Sequence, residues 1–376
     1  MSGVPEFSRG VAPDPLAFTP ARAANLDRLD RNISAVAAPD PLAFTPARAA
    51  NLDRLDRNIS AISAPDPLAY TPARAANLDR LDRNISAISI PLARILGQAR
   101  FSQVMAASPA NIGAGGDLVY AGGDFIYAFQ GNPTNAFWRY SISLNTWLTM
   151  AALPADIGAG GDLVYAGGDF IYAFAGNPTN AFWRYSISLN TWLTMAAAPA
   201  VIGWGGDLVY AGGDFIYAFA GNATNAFWRY SISLNTWLTM AVAPAVIGSG
   251  GALVYAGGDF IYAFQGNPTN VFWRYSISLN TWLTMAVSPA GIGLGGDLVY
   301  AGGDFIYAFA GGGTNAFWRY SISLNTWLTM AASPDTIGAG GALVYAGGDY
   351  IYAFRGGTNA FWRAVFGNDP SWQPWM

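Results

Sequence analysis

Through most of the chain, apolar and polar positions alternate in short runs. Four such runs, 117–121, 124–129, 136–142 and 146–150, are rich in aromatic and β-branched residues. They are separated by Gly122-Gly123, by Gly131-Asn132-Pro133 and by Ser143-Leu144-Asn145. Strand formers punctuated by turn formers predict four short strands, A to D in order. The set then recurs: Gly115, Gly160, Gly205, Gly250, Gly295 and Gly340 mark six copies at a 45-residue period.

A four-stranded unit of about 45 residues has two apolar faces and cannot bury both alone, so its copies must stack on one another. Six units of blade length predict a mainly β chain with a six-bladed β-propeller over 107–376. Within each unit, Gly122-Gly123, Ile126-Tyr127 and Tyr140 placed seven residues before Trp147 resemble the kelch motif. The family usually has Tyr-Asp-Pro where this chain has Tyr140-Ser141-Ile142. The resemblance implies a kelch-type propeller, a family made mostly of binding scaffolds with a minority of oxidases.

Ring closure has two readings. Phe101–Pro109 matches the end of each copy, since Met105 and Pro109 precede Met150 and Pro154 by 45 residues. Residues 101–106 would then supply the outermost strand of blade six. The alternative keeps Trp372 in that place and makes 101–106 a linker; Pro370 and Pro374 argue against it, because proline cannot donate to a strand ladder.

The pattern changes before residue 93. After a leader of 1–12, a 26-residue repeat begins at Pro13, Pro39 and Pro65, and Pro91 starts a truncated copy. Thr19 suits an N-cap and Pro20 the first helical position. Leu26, Leu29, Ile33 and Val36 form a narrow apolar seam, repeated as Leu52, Leu55, Ile59 and Ile62 and as Leu78, Leu81, Ile85 and Ile88. Helices this short are marginal alone, so the seams need partners. A parallel homotrimeric stalk over 13–92 is the favoured reading. A dimer, or packing of the three copies within one chain, remains open, because the mixed Leu, Ile and Val seam does not fix strand number. Residues 93–106 are then a linker that holds the candidate closing strand. The stretch Thr19–Asp30, repeated from Thr45 and Thr71, resembles short helices of tail-fibre and other virion proteins of tailed phages. That resemblance implies a fibre or neck appendage of a virion, joined to other virion proteins through its N-terminus. The alternative is a bacterial kelch-type module, cytoplasmic or at the cell surface.

Composition narrows the chemistry. Histidine, cysteine and lysine are absent and Glu6 is the single glutamate, which removes imidazole bases, thiol nucleophiles, disulfides and the commonest metal ligands. No enzyme activity, metal or cofactor is expected. A net charge of −4 gives no general attraction to nucleic acid, and no apolar run is long enough to insert in a membrane.

Arg139, Arg184, Arg229, Arg274, Arg319 and Arg363 recur once per unit in strand C, as do Trp138 and Trp147 with their equivalents, and a sixfold ring of identical residues reads as scaffold. Asp124 and its equivalents follow the Gly-Gly turn and are expected to bond to that turn's backbone, with a ring of calcium ligands as a weaker reading. Differences between copies carry more information. The residue before the first Gly-Gly pair reads Ala114, Ala159, Trp204, Ser249, Leu294 and Ala339. The B–C loop opens with Gln130, Ala175, Ala220, Gln265, Ala310 and Arg355. In an up-and-down blade these two loops share one face. Trp204, Ser249, Leu294, Gln130, Gln265 and Arg355 are therefore the candidate ligand-reading residues, for a host-surface glycan or protein, with drift at exposed loops as the alternative.

Overall fold

The computed structural model describes residues 99–267 and 269–366. The chain divides into two units, Met1–Leu92 and Ala93–Met376. The expected helical stalk and all twelve of its seam residues lie outside the described residues.

The described residues form six four-stranded antiparallel sheets, a six-bladed β-propeller. Blade one comprises β2 (Asp117–Tyr120), β3 (Phe125–Phe129), β4 (Phe137–Ser141) and β5 (Thr146–Thr149). Blades two to five repeat this with β6–β9 over 162–194, β10–β13 over 207–239, β14–β17 over 252–284 and β18–β21 over 297–329. Blade six has β22 (Ala342–Tyr345), β23 (Tyr350–Phe354) and β24 (Phe361–Phe366). Its fourth strand is β1 (Ala99–Val104), paired antiparallel to β24. The N-terminal segment thus closes the ring, in a strand two residues earlier than 101–106, and β1 fills the edge of β24 that the alternative gave to Trp372. Trp372 itself lies outside the described residues.

Alternation along each strand is what stacks the blades. On β3, Tyr127 and Phe129 face blade two and pack with Leu163, Ile171, Ala173 and Trp183. Ile126 and Ala128 between them face blade six and pack with Val344, Tyr352, Phe354 and Phe361. Every seam is lined this way, so the core is six aromatic layers between blades and not one central mass.

The outer rim adds a polar clasp to each regular seam. Asn145 takes a left-handed backbone conformation, φ 51°, which asparagine tolerates better than most residues. Its Oδ1 accepts the Tyr140 hydroxyl at 2.6 Å and the Ala106 N–H at 2.8 Å. The Trp147 indole N–H donates to the Ala106 carbonyl at 2.9 Å, and its ring stacks on Phe354 of blade six at 5.8 Å. The same set holds Ala151, Ala196, Ala241 and Ala286 at the following seams. Blade six departs from it: Ala364 replaces the tyrosine opposite the outer strand, and β1 brings no asparagine and tryptophan pair to Ala331. Phe101 fills the tryptophan's slot instead, with its ring 5.5 Å from Phe309 and 5.1 Å from Phe317. It reaches that slot because the β1–β24 register shifts between Phe101 and Gln103, a bulge that places Phe101 opposite Ala364.

Candidate functional site

The six innermost strands converge on the propeller axis, where they enclose a cavity of about 90 Å³. Its wall is mostly backbone. Gly115 and its equivalents stand at φ between 72° and 81°, and a Cβ there would collide with a carbonyl of the next blade, Gly158 in the case of Gly115. Glycine is required because blades approach one another through main chain at the axis.

Two kinds of side chain enter this wall. At the rim are Trp204 and Leu294, 38% and 37% exposed, where the other copies carry Ala114, Ala159, Ser249 and Ala339. At the opening of the innermost strands are Asp117, Asp162, Asp207 and Asp297, with Ala252 and Ala342 in the other two blades. Trp204 and Leu294, singled out by their variation, therefore stand at one mouth. Ser249 precedes the lining residue Gly250 without itself joining the wall.

Both variable loops do lie on one face: in blade one the Gly113 N–H donates to the Gln130 carbonyl at 2.8 Å, and the Asn132 N–H donates to the Ala114 carbonyl at 2.8 Å. The B–C side chains nevertheless bond to these loops and do not line the axial cavity. Gln130 Oε1 accepts from the Thr134 hydroxyl at 3.0 Å. Gln265 Nε2 donates to the Val246 carbonyl at 3.1 Å. Arg355 donates through Nε to the Thr336 carbonyl at 3.2 Å and pairs with Asp335 at 3.0 Å. Gln130 thus braces its own loop, and Gln265 and Arg355 hold the adjoining crossover loop.

Blade three carries a second local departure, directly behind Trp204. Asn222 and Ala223 both have φ 55°, a conformation that an alanine Cβ resists. The Asn222 N–H donates to the Trp204 carbonyl at 2.9 Å and the Ala223 N–H to the Ile247 carbonyl at 3.0 Å. The backbone presenting the one aromatic residue of the mouth is thus held in a strained turn.

The recurrent residues are scaffold. Each strand-C arginine lies over the ring that opens strand B, Arg139 over Phe125 at 4.2 Å for example. Trp138 is buried between blades and Trp147 packs against blade six. Asp124 needs a correction of partner: it bonds to the neighbouring C–D turn and not to its own. It accepts the Ser143 N–H at 2.7 Å and the hydroxyls of Ser141 and Ser143, which hold its carboxyl below the usual carboxylate range.

The axial aspartates were missed by sequence reasoning. Their signal was present: a charged residue opening an otherwise apolar strand in four copies and replaced by alanine in two. Burial pushes all four carboxyls up, Asp117 to about 6 and Asp207 to about 7, with Asp162 and Asp297 also well above the ordinary range.

The solved structure of YjhT is similar to this chain, with a TM-score of 0.55 and 14% identity over 69% of this chain and 96% of that one. At that identity the likeness is one of fold. No protein-family model and no curated protein sequence matches the chain.

Proposed function

We propose that this chain is a non-enzymatic binding protein: a kelch-type propeller that engages its ligand at the axial mouth and is carried on a trimeric N-terminal stalk as an appendage of a phage virion. The observation that carries the binding reading is the placing of Trp204 and Leu294. Among otherwise near-identical blades, the two bulky residues at the variable crossover position stand at one cavity. An exposed tryptophan on a fixed backbone gives a ligand a large rigid contact at little entropic cost. A host-surface glycan or protein is the ligand class that fits such a mouth.

The kelch reading draws on the residues that suggested it. Tyr140 and Trp147, their ring centroids 5.0 Å apart, serve the same inter-blade clasp, so their spacing has a mechanical reason. The absence of histidine, cysteine and lysine from the whole chain supports a role without catalysis. The trimer and the virion role rest on the repeated apolar seam and its resemblance to fibre helices.

Two measurements test the proposal. Purified full-length protein should run in light scattering at three times the chain mass of 39.8 kDa. Trp204→Ala should abolish adsorption to host cells or glycan arrays with the thermal midpoint unchanged. A monomer would remove the stalk and favour a free-standing kelch module. Adsorption unaffected by Trp204→Ala and Leu294→Ala together would move the ligand site away from the mouth.

A further inference from the structure

The face that carries the mouth is uneven around the ring. The crossover loops that lead into blades three, four and five expose Val201, Trp204, Val242, Val246, Val287 and Leu294, each between 37% and 52% exposed. The loops into blades one, two and six have Asn111, Asp156 and Thr336 where Val201 and Val246 stand, and alanine in place of Val242 and Val287. Exposed leucines of the outer strands, Leu148 and its equivalents, recur on every regular blade, whereas this apolar arc belongs to three consecutive blades. Main-chain bonds tie its loops together. The B–C turn of blade three donates from Asn222 to the Trp204 carbonyl and from Ala223 to the carbonyl of Ile247, next to Val246. The B–C loop of blade four gives the Asn267 N–H to the Ser249 carbonyl at 2.8 Å and takes the Ile292 N–H on the Thr269 carbonyl at 2.9 Å.

The arc has little with which to hold a sugar. Ser288 is buried, so Ser249 is the one accessible side-chain hydroxyl of the three loops. Gln265, beside Val246, has both ends engaged: Oε1 accepts the Thr269 hydroxyl at 3.1 Å and Nε2 donates to the Val246 carbonyl at 3.1 Å. A sugar hydroxyl laid against valine gives up its water and gains no partner, whereas an apolar side chain is driven onto the same surface. The two ends of the arc differ in charge. On the blade-two side Asp156 is exposed and no described arginine pairs with it, while on the blade-six side Asp335 is already paired with Arg355 at 3.0 Å.

We propose that this arc is a docking surface for a protein, which seats apolar side chains on the Val242–Val246 loop and around Trp204 and sets a lysine or arginine against Asp156. It rests on the reading that Trp204 and Leu294 face a ligand, and it narrows that ligand from glycan or protein to protein. The apolar contacts supply affinity, and the single unpaired carboxylate fixes which way round the partner lies.

The test presents immobilised full-length protein to a library of random dodecapeptides and, separately, to a glycan array. Selected peptides should be rich in leucine, isoleucine or phenylalanine and carry lysine or arginine. Val242→Asp with Val246→Asp should weaken them by at least about tenfold at an unchanged thermal midpoint. Asp156→Lys should turn the selection from basic to acidic peptides. If the double aspartate variant does not fold, Val242→Ser with Val246→Ser takes its place. No peptide bound above an empty surface, or peptides whose binding survives the double variant, would overturn the proposal, and an unchanged selection with Asp156→Lys would overturn the basic contact. Glycans bound in place of peptides and lost in Trp204→Ala would keep the mouth as a ligand site and sink the protein reading. Peptides lost in the double variant but kept in Trp204→Ala with Leu294→Ala would support the arc and count against the mouth.

Discussion

The seam between blades one and two and the seam between blades five and six bury similar rings but are fastened differently at the rim. At the first, Asn190 and Trp192 grip both polar atoms of Ala151. At the second, Ala331 has no such grip among the described residues, and Phe101 supplies the aromatic contact alone. Packing and polar fastening are thus separable. A strand brought in from the far end of the sequence restores the ring stacking through a bulge, but a phenylalanine ring has no N–H with which to replace the tryptophan's hydrogen bond.

Breaking the aromatic part should cost most. Trp192→Ala removes a half-buried ring and its hydrogen bond and should destabilise by about 3 kcal/mol, read from chemical denaturation. Phe101→Ala should cost about 2 kcal/mol, with no bond lost, and its damage should be local: amide exchange should accelerate in β1 and β24 before it does in blades two to four. Equal, ring-wide acceleration in both variants would mean that the two seams do not differ in kind.

The polar part is the next largest. Asn190→Ala leaves the Ala151 N–H and the Tyr185 hydroxyl without their acceptor and forces alanine into φ 53°, a loss of about 2 kcal/mol. Asn190→Gly removes only the acceptor and should cost about 1 kcal/mol. In the unaltered protein the Ala331 amide should exchange faster than those of Ala151, Ala196, Ala241 and Ala286, and comparable protection at all five would show that something else holds the closing seam.

The smallest effect is electrostatic. The carboxyls of Asp124, Asp169, Asp214 and Asp259 are held below the ordinary range by serine hydroxyls and N–H groups. Their contribution is present above that range and lost as pH falls through the lowered values. Blade six has Val365 where Ser141 stands in blade one, so it lacks this hydroxyl partner. With the axial carboxyls losing their contribution in the opposite direction, stability should peak at mildly acidic pH. Asp124→Asn should flatten only the acid side of that profile; a change on the alkaline side would contradict the assignment.

Much of this was legible in the chain. Strand positions, blade count and the role of the N-terminal segment follow from alternation and period, because a repeated unit has only one way to bury both faces. The bulge was not. Sequence register counted from Met105 places Ser102 at the position of Trp147, and only the strand pairing shows that Phe101 takes the slot. The axial ring was hidden for a related reason. Asp117 opens a strand, where a charge normally means a solvated end, yet in a propeller that end is where six blades meet. Trp204 and Leu294 were found because variation between copies exposed them. Gln130, Gln265 and Arg355 varied too, but their contacts are to loops whose shape the sequence does not give.

Closure by β1 also sets a timetable. Gln103 of β1 bonds to Arg363 of β24, a partner 260 residues later in the chain. At about 5–20 residues per second on the ribosome, the first strand waits roughly 13 to 50 s for its partner to be made. For that interval Ala99–Val104 lacks the strand it pairs with, while the earlier blades are made one after another. Its arginine and glutamine make it a poor template for its neighbours, and the ring is finished only when the last blade arrives.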